Sequence, residues 1–350
     1  MMRDSTRTDP DGDWQIADRL NHLRLWGGDR EFELPDEPFA ERVIGAGPTC
    51  AMVLDDKTQR LSREHARLVS HGVLWTIEDL GSKNGTWIDG ARRQSSAITP
   101  GTEIRVGNVV LVAESPAFVA LRDLLRRWIG WGHRRCVDVD QALRVVREAF
   151  SERRPLVLCG RGPLESVAER LHRETLGPRP FVACRASDEL SPALERAARG
   201  TLCVSTGDKV RSVPSAIGDV LLGAPNVRLV ICAPSFDVAA PLVSALQNTV
   251  RLDLPPISER REEIPRIISE YVREYARDAE AILRAQAIVP SVDIGALAEH
   301  AYGTLAEIED DARRLVVLRA LGVRAGAKTL RISHAAFSRW AWRRRLRTRR

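Results

Sequence analysis

LSREHARLVSHGVLWTIEDLGSKNGTWIDG, residues 61–90, places Ser62, Arg63, His65, Lys83 and Asn84 in two turns on either side of a strand pattern. The run Val73–Ile77 is β-branched and aromatic, with Gly72 before it and Asp79 to Gly81 after it, and it reads as a short strand bounded by turns. Gly81 and Gly85 punctuate the second turn. Glycine there permits positive φ and lets the amides and flanking side chains project from the loop tip. A serine hydroxyl, two cations and a carboxamide gathered in this way form a donor set for a phosphorylated segment. The plain alternative, solvated turn residues without a ligand, fits each residue singly and the joint spacing poorly.

The Ser-Arg-x-His and Leu-Gly-Ser-Lys-Asn-Gly-Thr runs resemble those of the forkhead-associated (FHA) domain, a β-sandwich that binds phosphothreonine peptides through loops at one end. The resemblance covers residues 21–115, with 102–107 and 109–112 in the place of the closing hairpin. It implies that Ser62 and Arg63 touch phosphate, Lys83 lines the pocket, Asn84 holds the peptide backbone, and His65, with Gly81 and Gly85, supports the loops. One departure matters. Where the family carries Gly-Arg before the phosphate loop, this chain has Gly45-Ala46. A hydrogen bond to a charged group is worth about 1.5–3 kcal/mol, so its loss weakens binding roughly tenfold to a hundredfold, and Arg42 or Arg63 is left to compensate.

The 350 residues suffice for two ordinary domains, and 44% hydrophobic with 29% charged residues is a globular composition. No apolar run approaches a membrane span, and Met1 to Trp14 has no signal-peptide core, so a cytoplasmic protein without a membrane partner is expected. Cys50, Cys136, Cys159, Cys184, Cys203 and Cys232 are scattered with no C-x-x-C pair; they read as reduced thiols, and no metal site is expected. The net charge of +6 is local: seven arginines lie from Arg339 onward with no acid, leaving the rest near −1. Such a run attracts nucleic-acid phosphates or acidic partners without sequence choice.

After residue 115 the pattern turns helical over 117–129 and 139–151, a connector assigned to 116–153. Apolar strands at 156–159, 181–184, 201–204 and 227–232 then alternate with helical patterns at 163–176 and 213–222, which argues a parallel sheet. From Glu259 only helices are expected, at 262–284, 291–301 and 305–321.

This order, and above all LPPISERREEIP at 254–265, resembles the AAA+ ATPase module of sigma-54 enhancer-binding proteins. The resemblance implies an α/β core over 154–258 and a helical lid over 259–325; a disordered segment is expected over 1–20, ahead of the FHA domain, and a basic tail over 326–350. Its catalytic chemistry is missing. A P-loop needs glycines around the phosphates, a lysine and a magnesium network. Here the loop is Gly160-Arg161-Gly162-Pro163-Leu164, with Leu164 near the lysine's place, and the strand due to end in two acids ends in Ser205-Thr206. The regions for the polar sensor, arginine finger and sigma-contacting loop also lack their residues.

The expectation is therefore a multidomain adaptor: an all-β FHA sandwich that reads a threonine-phosphorylated protein, fused to an α/β AAA+-like pseudo-ATPase with an α-helical lid. It is not expected to be an enzyme or to need a cofactor, although Arg161 at a helix start can bind an anion such as a nucleotide phosphate. A Ser/Thr kinase or its substrate is the implied upstream partner, and intact AAA+ relatives are further candidates. The alternative is a sigma-54-dependent transcriptional regulator that binds ATP.

Overall fold

The computed structural model describes residues 16, 18–188, 190–207, 226–244, 246–278 and 289–347. Most of the segment assigned as a disordered N-terminus, the helix expected at 213–222 and the last three residues of the basic run lie outside these. The chain divides into two compact units, one comprising residues up to Cys159 with Leu164–Asp253, the other Gly160–Pro163 with Leu254 onward.

The first unit begins with eleven strands in two sheets. One sheet has the order β2-β1-β11-β10-β7-β8, from β1 (His22–Leu25), β2 (Glu31–Glu33), β7 (Thr86–Ile88), β8 (Ala91–Arg93), β10 (Glu103–Val106) and β11 (Val109–Glu114). The other has the order β4-β3-β5-β6-β9, from β3 (Glu41–Gly45), β4 (Met52–Val53), β5 (Ala66–Ser70), β6 (Trp75–Asp79) and β9 (Ser95–Ile98). Alternation along each strand fills the space between the sheets, Ile44, Leu68, Trp75, Ile77 and Ile98 from one meeting Leu23, Ile88, Ile104, Val106 and Leu111 from the other. β6 starts two residues later than its apolar pattern implied. His71 N–H closes onto the Leu74 carbonyl at 2.7 Å, so Val73 and Leu74 form the hairpin tip, with Val73 78% exposed.

Two helices, α1 (Pro116–Ile129) and α2 (His133–Ser151), pack on the outer face of the first sheet. The contact is charged as well as apolar. Arg24 spans Glu114 (2.8 Å) and Asp140, Arg122 binds Glu114 at 2.5 Å, and His22 Nε2 lies 2.8 Å from Glu114. All five are buried. Burial alone would raise the Glu114 carboxyl, but the hydrogen bond from His22 and the charges of Arg24 and Arg122 outweigh it and hold that carboxyl below the usual range. His22, Glu31 and Glu114 stand close enough to share a cation, and the guanidinium groups of Arg24 and Arg122 already supply the positive charge there.

β12 (Leu156–Cys159), β13 (Phe181–Arg185), β14 (Thr201–Ser205), β15 (Arg228–Ala233) and β16 (Val250–Asp253) form a parallel sheet of order β13-β14-β15-β12-β16. The last of these was not foreseen, because Val-Arg-Leu-Asp is too short and too half-polar to stand out. Val157, Leu202, Val204, Leu229 and Ile231 face α4 (Leu190–Arg196) and α5 (Phe236–Val243). Side chains of the opposite parity face α3 (Leu164–Leu176), as the Thr201–His172 and Ser205–Glu165 hydrogen bonds show. Helices therefore cover both faces, as a parallel sheet requires. All six cysteines are unbridged; five are buried and Cys184 is partly buried.

The second unit holds α6 (Ile264–Asp278), α7 (Ser291–Ala298), α8 (Leu305–Thr329, broken at Gly322) and α9 (His334–Arg343). Part of the basic segment is folded here. Phe337 and Trp340 are buried, Trp340 Nε1 donates to Asp311 at 2.7 Å, and Arg344 and Arg345 pair with Asp311 and Glu299. Among the described residues no helix is long and apolar enough to cross a membrane.

Candidate functional site: the loop end of the sandwich

Three segments meet at one end of the sandwich: 44–47 after β3, 60–65 before β5, and 79–86 between β6 and β7. Backbone bonds tie the first two, Ala46 N–H to Ser62 O at 3.0 Å, Gly47 N–H to Arg63 O at 2.9 Å, and His65 N–H to Ile44 O at 2.8 Å. Gly45 must be glycine for this approach, since a Cβ there would sit 2.0 Å from the Arg63 carbonyl oxygen.

His65 joins the second segment to the third. It is fully buried; Nδ1 accepts from Ser62 N–H at 3.2 Å and Nε2 lies 3.3 Å from Gly85 O. Nδ1 can accept only when it carries no proton, and burial pushes this imidazole below the ordinary histidine value, so the neutral Nε2–H tautomer satisfies both contacts. The histidine thus links the two loops from inside.

Asp79 organises the third segment. Its Oδ1 accepts from Gly81 N–H (3.0 Å) and Ser82 N–H (2.9 Å), and its Oδ2 from the Ser82 and Thr86 hydroxyls, each at 2.7 Å. Burial opposes its ionisation, but these donors prevail and the carboxyl lies below its usual range. Asp56 does the same for the approach to Ser62, accepting from Thr58, Arg60 N–H and Leu61 N–H. Neither acid was among the sequence-named site residues. The signal was present, an aspartate two residues before a turn amide, the Asx-turn arrangement.

The exposed layer rests on this frame. Ser62 Oγ accepts from Lys83 N–H at 3.2 Å, and Asn84 Nδ2 donates to Arg60 O at 2.7 Å, so Ser62, Lys83 and Asn84 come together from residues 21 to 24 apart in sequence. Arg60, Arg63, Lys83 and Asn84 are exposed, and among the described residues no carboxylate pairs with Arg60, Arg63 or Lys83. Arg42 does not join them. It lies four residues before Ala46 along β3, roughly 13 Å away at strand rise, with its guanidinium on the Glu41 carbonyl. Arg63 is the arginine whose main chain lies against the Ala46–Gly47 segment.

Residues 42–107 match the family model of the FHA domain. The amino-terminal sandwich is an FHA domain. Over 70 residues, 20% of this chain, it is 39% identical to FHA domain-containing protein FhaB of Mycobacterium tuberculosis and 37% identical to the oxoglutarate dehydrogenase inhibitor of Corynebacterium jeikeium. The matches span 44% and 47% of those proteins, less than half of either. Among solved structures it is similar to an FHA domain studied for phosphothreonine-dependent interactions, at 27% identity, TM-score 0.25, over 27% of this chain and 96% of that one. It is also similar to Mycobacterium tuberculosis EmbR bound to a low-affinity phosphopeptide, at 27% identity, TM-score 0.25, over 31% and 26% of the two chains.

The loop after β12 has a different make-up. It follows a strand whose neighbours, β15 and β16, come last in the chain, so it opens at the point where strand order reverses, the usual ligand position of such sheets. Gly160, Arg161 and Gly162 lead to α3, but Leu164 is 7% exposed and packed inward. Ser205 Oγ donates to Glu165, and the Thr206 hydroxyl is directed to the Gly207 and Cys232 carbonyls. Arg161 is exposed, and among the described residues it has no acidic partner.

Proposed function

We propose that the FHA domain binds threonine-phosphorylated protein segments, Ser62, Arg63 and Lys83 contacting phosphate and Asn84 the peptide backbone, and that the protein is a signalling adaptor downstream of a Ser/Thr kinase. The observation that carries this is the gathering of Ser62, Arg63, Lys83 and Asn84 on a backbone network in which Asp56 and Asp79 are satisfied by the loops' own donors. The cationic tips therefore remain for an outside anion. Arg63, adjacent to Ala46 through the Gly47 contact, takes over part of the role of the absent arginine. The relatives' names and the complexes described for other FHA domains support the same reading.

The parallel sheet and its helices serve in this reading as a catalytically dead AAA+-like platform. Support comes from a switch-point loop without lysine, a β14 end whose hydroxyls are turned to Glu165 and to main-chain carbonyls, and Leu164 in the core. Phosphoryl transfer needs positioned charge that this loop does not offer.

Binding of full-length protein to a phosphothreonine peptide library, measured against the unphosphorylated set, tests the first part. Equal binding of both sets refutes it. Phosphate release from ATP by pure protein, abolished by Arg161→Ala, refutes the second part and favours an ATP-using sigma-54 regulator.

A further inference from the structure

The outer face of the six-stranded sheet is divided. Over β1 and β11 it lies under α1 and α2, where His22, Arg24, Val112 and Glu114 are buried. Over β10, β7 and β8 it carries one cross-strand row, Arg105 opposite Trp87 and Trp87 opposite Arg92. Directly opposed residues share a face. The Arg105 guanidinium lies 4.3 Å from the centre of the Trp87 ring, and Trp87 Nε1 donates to the Asn84 carbonyl at 3.3 Å. Arg92 packs against Gly85 so closely that a Cβ there would stand 2.2 Å from its Nε. The row thus starts at the turn that carries Lys83 and Asn84.

Its charge is uncompensated. Among the described residues neither Arg92 nor Arg105 has a carboxylate partner, while the outward acids of the same region, Asp89 and Glu103, are engaged by Arg147 and Arg144 of α2. The two arginines therefore leave the sheet about two strand spacings apart, ~10 Å at the backbone, and the guanidinium of Arg105 is held by an indole.

We propose that this row is a second contact of the phosphopeptide site and takes an acidic segment flanking the phosphothreonine; it rests on the reading given under Proposed function. Guanidinium groups prefer carboxylates in charge-assisted, often bidentate pairs. Carboxylates two residues apart on an extended peptide project from one side at a spacing of ~7 Å, within the reach of two long side chains at ~10 Å. A nucleic-acid strand fits less well, because Arg105 already covers one face of the Trp87 ring on which a base would stack.

The test uses the full chain and fluorescent phosphothreonine peptides with neutral flanks, with three glutamates before the phosphothreonine, or with three after it. One acidic flank is expected to raise affinity about five- to tenfold at moderate salt, the sum of two exposed charge pairs. Arg92→Gln with Arg105→Gln removes this gain and leaves the neutral peptide within about twofold. Arg92→Glu alone, at an exposed position that leaves the Arg105–Trp87 pair intact, turns the gain into a penalty. A gain that survives both variants, or no gain while the neutral phosphopeptide still binds, overturns the proposal and leaves the row as sheet stabilisation only. Failure of every phosphopeptide to bind overturns the phosphopeptide reading itself, and the row's role with it.

Discussion

The turn at Asp79–Gly85 and the turn at Gly160–Gly162 are both glycine-bearing and both follow a strand. In the first, the carboxylate faces inward onto Gly81, Ser82 and Thr86, and Lys83 with Arg63 is left outside. In the second, Glu165 and Ser205 hold each other and the residue in the lysine's place is buried leucine. The difference lies in the direction each turn's acid takes. An acid satisfied by the loop's own amides frees the cations, whereas an acid left at the surface takes the nearest donor.

The largest expected effect tests the outward layer. Ser62→Ala with Asn84→Ala should lower affinity for a phosphothreonine peptide about a hundredfold, from the loss of one charge-assisted and one neutral hydrogen bond, as read by fluorescence anisotropy. Retained affinity would place the phosphate elsewhere. Next is the inward acid. Asp79→Ala leaves the Ser82 and Thr86 hydroxyls and two amides without their acceptor and should cost about 2 kcal/mol in urea unfolding. A neutral result would show that the loop does not depend on its buried carboxylate.

A smaller effect follows pH. The folded protein holds His65 neutral, with its affinity for a proton lowered by burial. Below the unfolded-state value of roughly 6.5 the unfolded chain therefore binds more protons, and stability is complete above that pH and falls as acidity increases toward the folded value. His172 and His300 are shifted in the same direction, also by burial. The informative quantity is thus the difference from His65→Gln, which should show a shallower loss of stability between pH 7 and 5. Parallel curves would remove His65 from this role. The smallest effect belongs to the second turn. Ser205→Ala, deleting an exposed hydroxyl–carboxylate contact, should change stability by no more than about 0.5 kcal/mol, and a larger change would reveal that this turn carries strain or a ligand.

Much of the sandwich was legible. The β-branched and aromatic run at Val73–Ile77 and the Asp-x-Gly and Asn-Gly turns mark a strand and its end locally, because strand preference and positive φ are properties of a few neighbouring residues. The roles of Asp56 and Asp79 were not read, since an aspartate in a turn looks solvated until its acceptor lone pairs are matched to donors. Arg42 and Arg63 were indistinguishable as compensating cations on paper. Strand rise sends Arg42 away from Ala46, while the Gly47–Arg63 hydrogen bond keeps Arg63 beside it.

The residues alone determined which chemistry is present: donors and cations in two short turns, and a switch-point loop without lysine or paired acids. These are matters of composition and spacing, carried by side chains whatever the fold. Only the tertiary structure decided which acids are spent on amides, which arginines stay unpaired, and that Arg105, Trp87 and Arg92 form one row beside Asn84. Such facts depend on pairing register between strands distant in sequence, where a slip of one residue would turn every side chain to the other face.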